Sequence, residues 1–302
     1  MSLPKSLHIG VAGWSYPQWF GQVYPRSRAR SFHPLEALSS LVDAVEINTS
    51  FYQPLKPEVT RLWVKRVEAN PRFVFTAKLH QRFTHERVLD PAEVGAFKAG
   101  LLPVAKSGRL AAVLMQFPWS FRFTQENRDF FIALRRAFHE FPLAAEMRHD
   151  SWAREEAVGV FIDYHVGFCN IDQPAHTRAM PPTAFLTSRT GYVRLHGRNP
   201  ANSLGHFEPG APRARQHDYL YSLEELAEWK TRIDKIHRYA ERTVVIFNND
   251  PGAKSVANAL ALRALEGDRR GVAPAELIRR YPETLRGFAP DRAIQPSLFQ
   301  AA

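Results

Sequence analysis

The stretch YVRLHGR at 192–198 puts Val193 and Leu195 on one side and Arg194, His196 and Arg198 on the other, if side chains two residues apart share a face. Seven other short apolar runs read the same way, so that eight occur in all, at 7–14, 44–51, 73–80, 110–117, 142–149, 166–173, 192–198 and 244–250. Their apolar faces carry Ile9 and Val11, Val45 and Ile47, Phe73 and Phe75, Val113 and Met115, and Val245 and Phe247. Their other faces end in hydrogen-bonding groups: Trp14, Glu46 and Asn48, Lys78 and His80, Gln116, Glu146 and Arg148, Asn170 and Asp172, and Asn248. Strands of a closed (β/α)8 barrel have this character, because the outer face packs on helices while the inner face opens into a site at the C-terminal ends.

Segments of helical periodicity separate the runs, at 34–43, 57–69, 91–106, 125–140, 152–163, 222–240 and 253–265. Pro34, Pro57 and Pro91 suit first helical turns, and Ser222 with Glu225 has the spacing of a capping box. Alternating strand and helix implies parallel strands joined by right-handed crossovers. The sixth crossover, 174–191, is irregular because it carries Pro174, Pro181, Pro182 and Gly191. The expectation is an α/β protein, a (β/α)8 TIM-like barrel over residues 1–266 with a C-terminal extension over 267–302. An open doubly wound sheet is the competing fold, but it concentrates ligands at one switch point and leaves eight polar strand ends unexplained.

The chain has 302 residues, 45% of them hydrophobic, enough for one large core. Its single cysteine, Cys169, excludes an intramolecular disulfide and points to the cytoplasm. By alternation Cys169 falls on the helix-facing side, as an inert thiol. No stretch has the apolar length of a membrane span or a targeting core. The net charge of +10 favours anionic partners, nucleic acid among them, although the cations are spread along the chain.

Five stretches, GVAGWSYPQW at 10–19, VEINTSFYQ at 45–53, EMRHDSW at 146–152, YVRLHGR at 192–198 and FNNDPGAKSVANA at 247–259, make the chain resemble the YecE-like family, domain of unknown function 72. Met147 departs from the aromatic expected at that position. The resemblance implies a TIM-like barrel and brings no reaction with it.

Two chemistries fit the row of polar tips. In a metal-free site, Lys78, Arg148 and Arg194 take a small phosphate- or carboxylate-bearing ligand, while Glu46 or Glu146 exchanges protons near a neutral His196. Trp14, Asn48, Tyr52, Asp172 and Asn248 complete the binding set, the aromatics also suiting a sugar-like ligand. Gly252, in the turn after the last strand and beside Lys254, would offer backbone amides to a phosphate. In the other chemistry, Glu46, Glu146, Asp172 and His196 hold a divalent metal for a hydrolase or isomerase-like reaction, though neighbouring arginines oppose a dication. A third outcome is a non-catalytic scaffold in which Glu146 and the arginines form a salt-bridged layer closing the core.

Two further segments stand apart. Residues 198–221 contain two glycines and three prolines and have the composition of a lid. The tail sequence Gln295-Pro296-Ser297-Leu298-Phe299 resembles the peptide by which bacterial replication and repair proteins dock on the sliding clamp. Gln295, Leu298 and Phe299 would be the docking residues, and the barrel would then be a DNA-associated hydrolase or binding module.

Overall fold

In a computed structural model that describes residues 6–27, 31–199, 217–268 and 273–288, eight parallel strands close into a barrel in sequence order. The strands are β1 (Ser6–Ala12), β2 (Ala44–Ile47), β3 (Val74–Lys78), β4 (Leu110–Gln116), β5 (Leu143–Glu146), β6 (Gly167–Asp172), β7 (Thr190–Leu195) and β8 (Arg242–Phe247). Closure comes from β1 pairing with β8, in register from Ser6 with Arg242 to Val11 with Phe247. Partners across parallel strands share a face, so Ala12 beside Glu46 and Gln116 beside Glu146 define the inner side.

The helices are α1 (Pro34–Ser39), α2 (Pro57–Arg66), α3 (Gln81–Thr84), α4 (Pro91–Lys106), α5 (Gln125–Ala137), α6 (Glu155–Asp163), α7 (Leu223–His237), α8 (Lys254–Leu265) and α9 (Ala275–Arg280). Their starts follow local chemistry. Asp90 accepts from the amides of Ala92 and Glu93 at 2.9 and 3.0 Å, and the Ser222–Glu225 capping box forms in both directions. No helix lies between β6 and β7, as the prolines of that crossover require.

The outer strand faces and the helices form the apolar layer, with Val45, Phe75, Val113, Leu195 and Phe247 buried completely. Beneath the mouth, Phe121 lies parallel to Trp152 at 5.5 Å, and the Trp152 indole donates to the Phe121 carbonyl at 2.8 Å. Residues 273–288 pack on the barrel: Leu277 and Leu285 are buried, and the Tyr281 hydroxyl donates to the Gly252 carbonyl at 2.7 Å. Among the described residues no helix is long and apolar enough to cross a membrane.

Regular strand ends one to three residues before half of the polar tips, yet the backbone ladder continues. Gly13 donates to the Glu46 carbonyl at 2.9 Å, Phe117 to that of Glu146 at 3.1 Å, His196 to that of Asp172 at 3.0 Å, and Asn248 to that of Leu195 at 2.8 Å. The tips are therefore held by main-chain bonds rather than displayed on free loops.

Candidate functional site at the barrel mouth

Arg194 is the centre of the inner layer. Its Nε and Nη2 reach Glu46 Oε2 and Oε1 at 2.9 and 2.6 Å, a bidentate fork, and its Nη1 reaches Glu146 Oε2 at 2.7 Å. The Tyr192 hydroxyl, two residues back on the same face, lies 3.1 Å from Glu46 Oε2 and 2.9 Å from the Thr76 hydroxyl. Arg194, Glu46, Glu146, Tyr192 and Thr76 are all buried. Charges so far from water persist only when paired. Burial alone would raise the Glu146 carboxyl, but Arg148, Arg194 and His196 outweigh it and hold it well below the usual carboxylate range.

Above this layer Arg148 is partly accessible, while His196 is still buried. Arg148 places Nε 2.6 Å from Glu146 Oε1, Nη1 3.1 Å from the Gln173 amide oxygen and Nη2 3.1 Å from His196 Nε2. His196 Nε2 also lies 3.3 Å from Glu146 Oε1, and its Nδ1 is 3.0 Å from the Asn248 amide. Burial first, and then Arg148, keep His196 well below the ordinary imidazole range, so the ring is neutral at pH 7. Two hydrogen-bond arrangements satisfy a neutral ring. Either Nε2 donates to Glu146 and Nδ1 accepts from Asn248, or Nε2 accepts from Arg148 and Nδ1 donates to the rotated Asn248 amide.

Lys78 differs from both arginines. Its Nζ lies 4.3 Å over the Phe51 ring, and among the described residues no carboxylate is within 4.0 Å of it. Burial, then the Arg194 charge, lower its pKa to about 8. Its backbone is fixed, because the Ser50 hydroxyl bridges the Ile47 and Lys78 carbonyls at 2.8 and 2.7 Å.

The structure thus brings together Glu46, Lys78, Gln116, Glu146, Arg148, Arg194, His196 and Asn248, with Asn48 beside them at the tip of β2. Other expected members lie elsewhere. On β6 the phase is reversed: Ala144 pairs with Gly167 and Ile171 with Arg194, so Cys169 and Ile171 face inward while Asn170 and Asp172 face the helices. Cys169 is therefore a barrel-interior thiol, held protonated by burial and by Glu146. Asp172 is not at the mouth. It accepts from Arg198 Nε at 2.9 Å, and Arg198 continues to Glu225 on α7 at 2.9 Å. Asn170 ties down the irregular crossover, accepting from Thr183 and the Phe185 amide at 2.8 and 2.7 Å.

Arg198 leaves the inner face because Gly197 intervenes with φ +88°, where a Cβ would sit 2.5 Å from that of Tyr219. His80 caps α3 by accepting from the Arg82 amide at 3.2 Å, and it lines a separate cavity of about 450 Å³ with Phe83, Glu93 and Phe97. Trp14 packs edge-on against Trp63 of α2 at 5.0 Å, and Tyr52 is 55% exposed beside Phe51. The turn at Gly252 is covered by Tyr281, and Lys254 pairs with Asp218 at 2.5 Å. The metal set Glu46, Glu146, Asp172 and His196 is not assembled, and among the described residues no cluster of three or more such donors is placed to hold a metal ion. The lid segment lies largely outside the described residues, as do Gln295, Leu298 and Phe299.

Sequence reasoning missed several residues. Gln173 is the inner-face tip of β6 once the phase is corrected. Tyr16 has its hydroxyl on the Ala12 carbonyl at 2.8 Å and hydrogen-bonds Asn48. Asp250, on the Tyr16 side, is pushed up to about 6 by burial. Asn249 and Asn258 bond to each other at 2.9 Å and hold Tyr219 and Tyr221 ahead of α7. For Tyr192 a signal existed, since it shares its face with Arg194.

A family described as "Protein of unknown function DUF72" matches residues 8–281 of the chain. The UPF0759 protein YunF of Bacillus subtilis (strain 168) is 30% identical over 291 residues, covering 90% of this chain and 99% of that one. A crystal structure of a DUF72 family protein from Thermotoga maritima superposes with a TM-score of 0.75 at 29% identity, covering 87% of this chain and 99% of its own. One from Enterococcus faecalis gives a TM-score of 0.76 at 24% identity, over 86% of this chain and 95% of its own, a likeness of fold.

Proposed function

The chain belongs to the DUF72 family, and since that description carries no reaction, we propose from the geometry of its own residues that the barrel mouth binds a small anion bearing phosphate or carboxylate. The observation that carries this reading is the charge arrangement around Lys78. Glu46 and Glu146 are both engaged by Arg194 and Arg148, which leaves the Lys78 ammonium, in a partly accessible position, without a carboxylate partner among the described residues. A desolvated cation of this kind is costly for the folded state unless an anion arrives to meet it.

The residues divide by depth. Glu46, Arg194, Tyr192 and Thr76 form a fixed floor in which each side chain already has a hydrogen-bond partner. Lys78, Arg148, Gln116, Gln173 and Asn248 form a rim of donors and amides over it, and the buried Asn48 Oδ1 has no donor among the described residues. Arg148 adds long-range attraction, although each of its nitrogens already has a protein neighbour. The neutral His196, in contact with Glu146, is the group placed to exchange a proton with a ligand at the rim.

Thermal unfolding of the full chain against phosphate, sugar phosphates and small carboxylates tests the reading. A concentration-dependent rise in Tm is expected for at least one of them, lost in Lys78→Met and retained in Arg198→Met. An equal rise in wild type and Lys78→Met would overturn it.

A further inference from the structure

Lys78 has a property that anion binding alone does not require. A lysine that serves only as a positive charge is best left ordinary, because a raised fraction of free amine weakens its attraction for an anion. Here the surroundings do the reverse. The Phe51 ring, 4.3 Å from Nζ, favours the ammonium, but burial and the like charges of Arg194 and Arg148 outweigh it, and no carboxylate of the described residues lies within 4.0 Å of Nζ. The other titratable groups that face it are Glu46 and Glu146, both already paired, together with His85 and His217. Both histidines are held below the usual imidazole range, by burial first, so neither brings a competing positive charge at pH 7. The effect is to free an amine: a value of about 8, against the ordinary 10.5, leaves a much larger share of neutral Nζ at pH 7.

An amine made neutral by desolvation and by a neighbouring cation is an activated nucleophile toward carbonyl carbon. We propose that Lys78 forms a Schiff base with a small oxo acid, an anion carrying an aldehyde or ketone beside its carboxylate. This deepens the anion-binding reading and rests on it, since Arg148 and the rim amides would hold the carboxylate while Nζ meets the carbonyl. The neutral amine attacks the carbonyl carbon, the C–N bond forms, and a proton passes from nitrogen to oxygen to give the carbinolamine. The hydroxyl then takes up the proton that the ammonium gave up before attack, and the C–O bond breaks with loss of water, leaving a protonated imine. Ammonium plus carbonyl becomes iminium plus water, so charge and atoms balance with no oxidant or reductant. The fixed backbone at the tip of β3 supports the assignment, because Ser50 bonds the Lys78 carbonyl at 2.7 Å and Leu79 donates to the Leu114 carbonyl at 2.9 Å.

The test treats the full chain with glyoxylate or pyruvate and sodium cyanoborohydride, followed by intact-mass measurement and peptide mapping. A single reduced adduct on Lys78 is expected, with a yield that rises as pH passes through about 8 and falls with excess phosphate. Lys78→Arg should lose the adduct while keeping the phosphate-induced rise in Tm. Adducts spread evenly over the lysines, or none on Lys78, would overturn the inference. If any of the phosphates or small carboxylates still raises Tm in that case, the anion reading stands without it; if none does, both fall. Should Lys78→Arg fail to fold, mapping of the wild-type adduct decides the question by itself.

Discussion

Two charged clusters sit back to back across β6 and β7, and they differ in how their charge is balanced. The inner one joins Glu46, Glu146, Arg148 and Arg194, two carboxylates to two guanidiniums, and leaves Lys78 over. The outer one gathers Asp172, Glu225 and Glu228 around the single Arg198, at 2.9, 2.9 and 3.6 Å, with the Tyr219 hydroxyl on Glu225 at 2.6 Å. The outer cluster fastens α7 to the sheet and, among the described residues, has no cation left to offer a ligand. The inner cluster is built on a buried floor and ends in a surplus cation at a partly open mouth. What distinguishes a site from a strut here is the leftover charge, since both clusters are rich in acids, bases and short ion pairs.

The largest expected effect is on the floor. Arg194→Met leaves the buried Glu46 without a cation and takes one of two arginines from Glu146, and should cost roughly 3–5 kcal/mol, read by urea unfolding with an unchanged m-value. Arg198→Met removes a half-buried partner from Asp172 and should cost about 2 kcal/mol while leaving anion-induced stabilisation intact. A loss of that response in Arg198→Met would break the division between the clusters. Lys78→Met should act in the other direction, stabilising the ligand-free protein at pH 7 by on the order of 1 kcal/mol, after allowing for partial exposure. The sign follows from linkage. The folded value, about 8, lies below the ordinary 10.5, so the unfolded chain holds the proton more tightly. The penalty is full below pH 8 and fades as pH rises from there toward 10.5, where wild type and variant should converge.

The smallest effect separates the clusters on the acid side. The Glu146 carboxyl lies well below its usual 4.5, so its contribution is present above that value and is lost as pH falls below it. Asp172, raised from 3.8 by burial against the pull of Arg198, contributes with the opposite slope: its share is full below 3.8 and declines as pH rises through the folded value. Glu146→Gln should therefore flatten the loss of stability toward low pH, and Asp172→Asn should steepen it slightly, in paired unfolding curves from pH 3 to 6.

Much of the fold was legible because seven strands bury one face against helices and turn the other toward a polar mouth. Alternation then carries real information. It failed on β6 because the polar residues of that strand, Asn170 and Asp172, alternate on the helix-facing side, while the apolar Cys169 and Ile171 face the barrel interior. Asn170 and Asp172 looked like strand tips, but their polarity serves the helix-free crossover and α7. Arg198 was misplaced for another reason, since a left-handed glycine between His196 and Arg198 breaks the two-residue repeat. The charged set Glu46, Lys78, Glu146, Arg148, Arg194 and His196 was legible as a group. The division into floor and rim was not, because it depends on distances of 2.6 to 2.9 Å across the barrel between residues about 150 apart in the chain.

Lys78 is a desolvated cation that, among the described residues, has no carboxylate partner and so is free to meet an anion. The direct measurement is a titration of lysine side-chain resonances in protein labelled with 13C at Cε, assigned through Lys78→Arg. One resonance should titrate near pH 8 and shift toward the ordinary lysine value when phosphate is added, and it should vanish in the variant. If every lysine titrates near 10.5 and none responds to phosphate, the surplus charge is not there and the anion site with it.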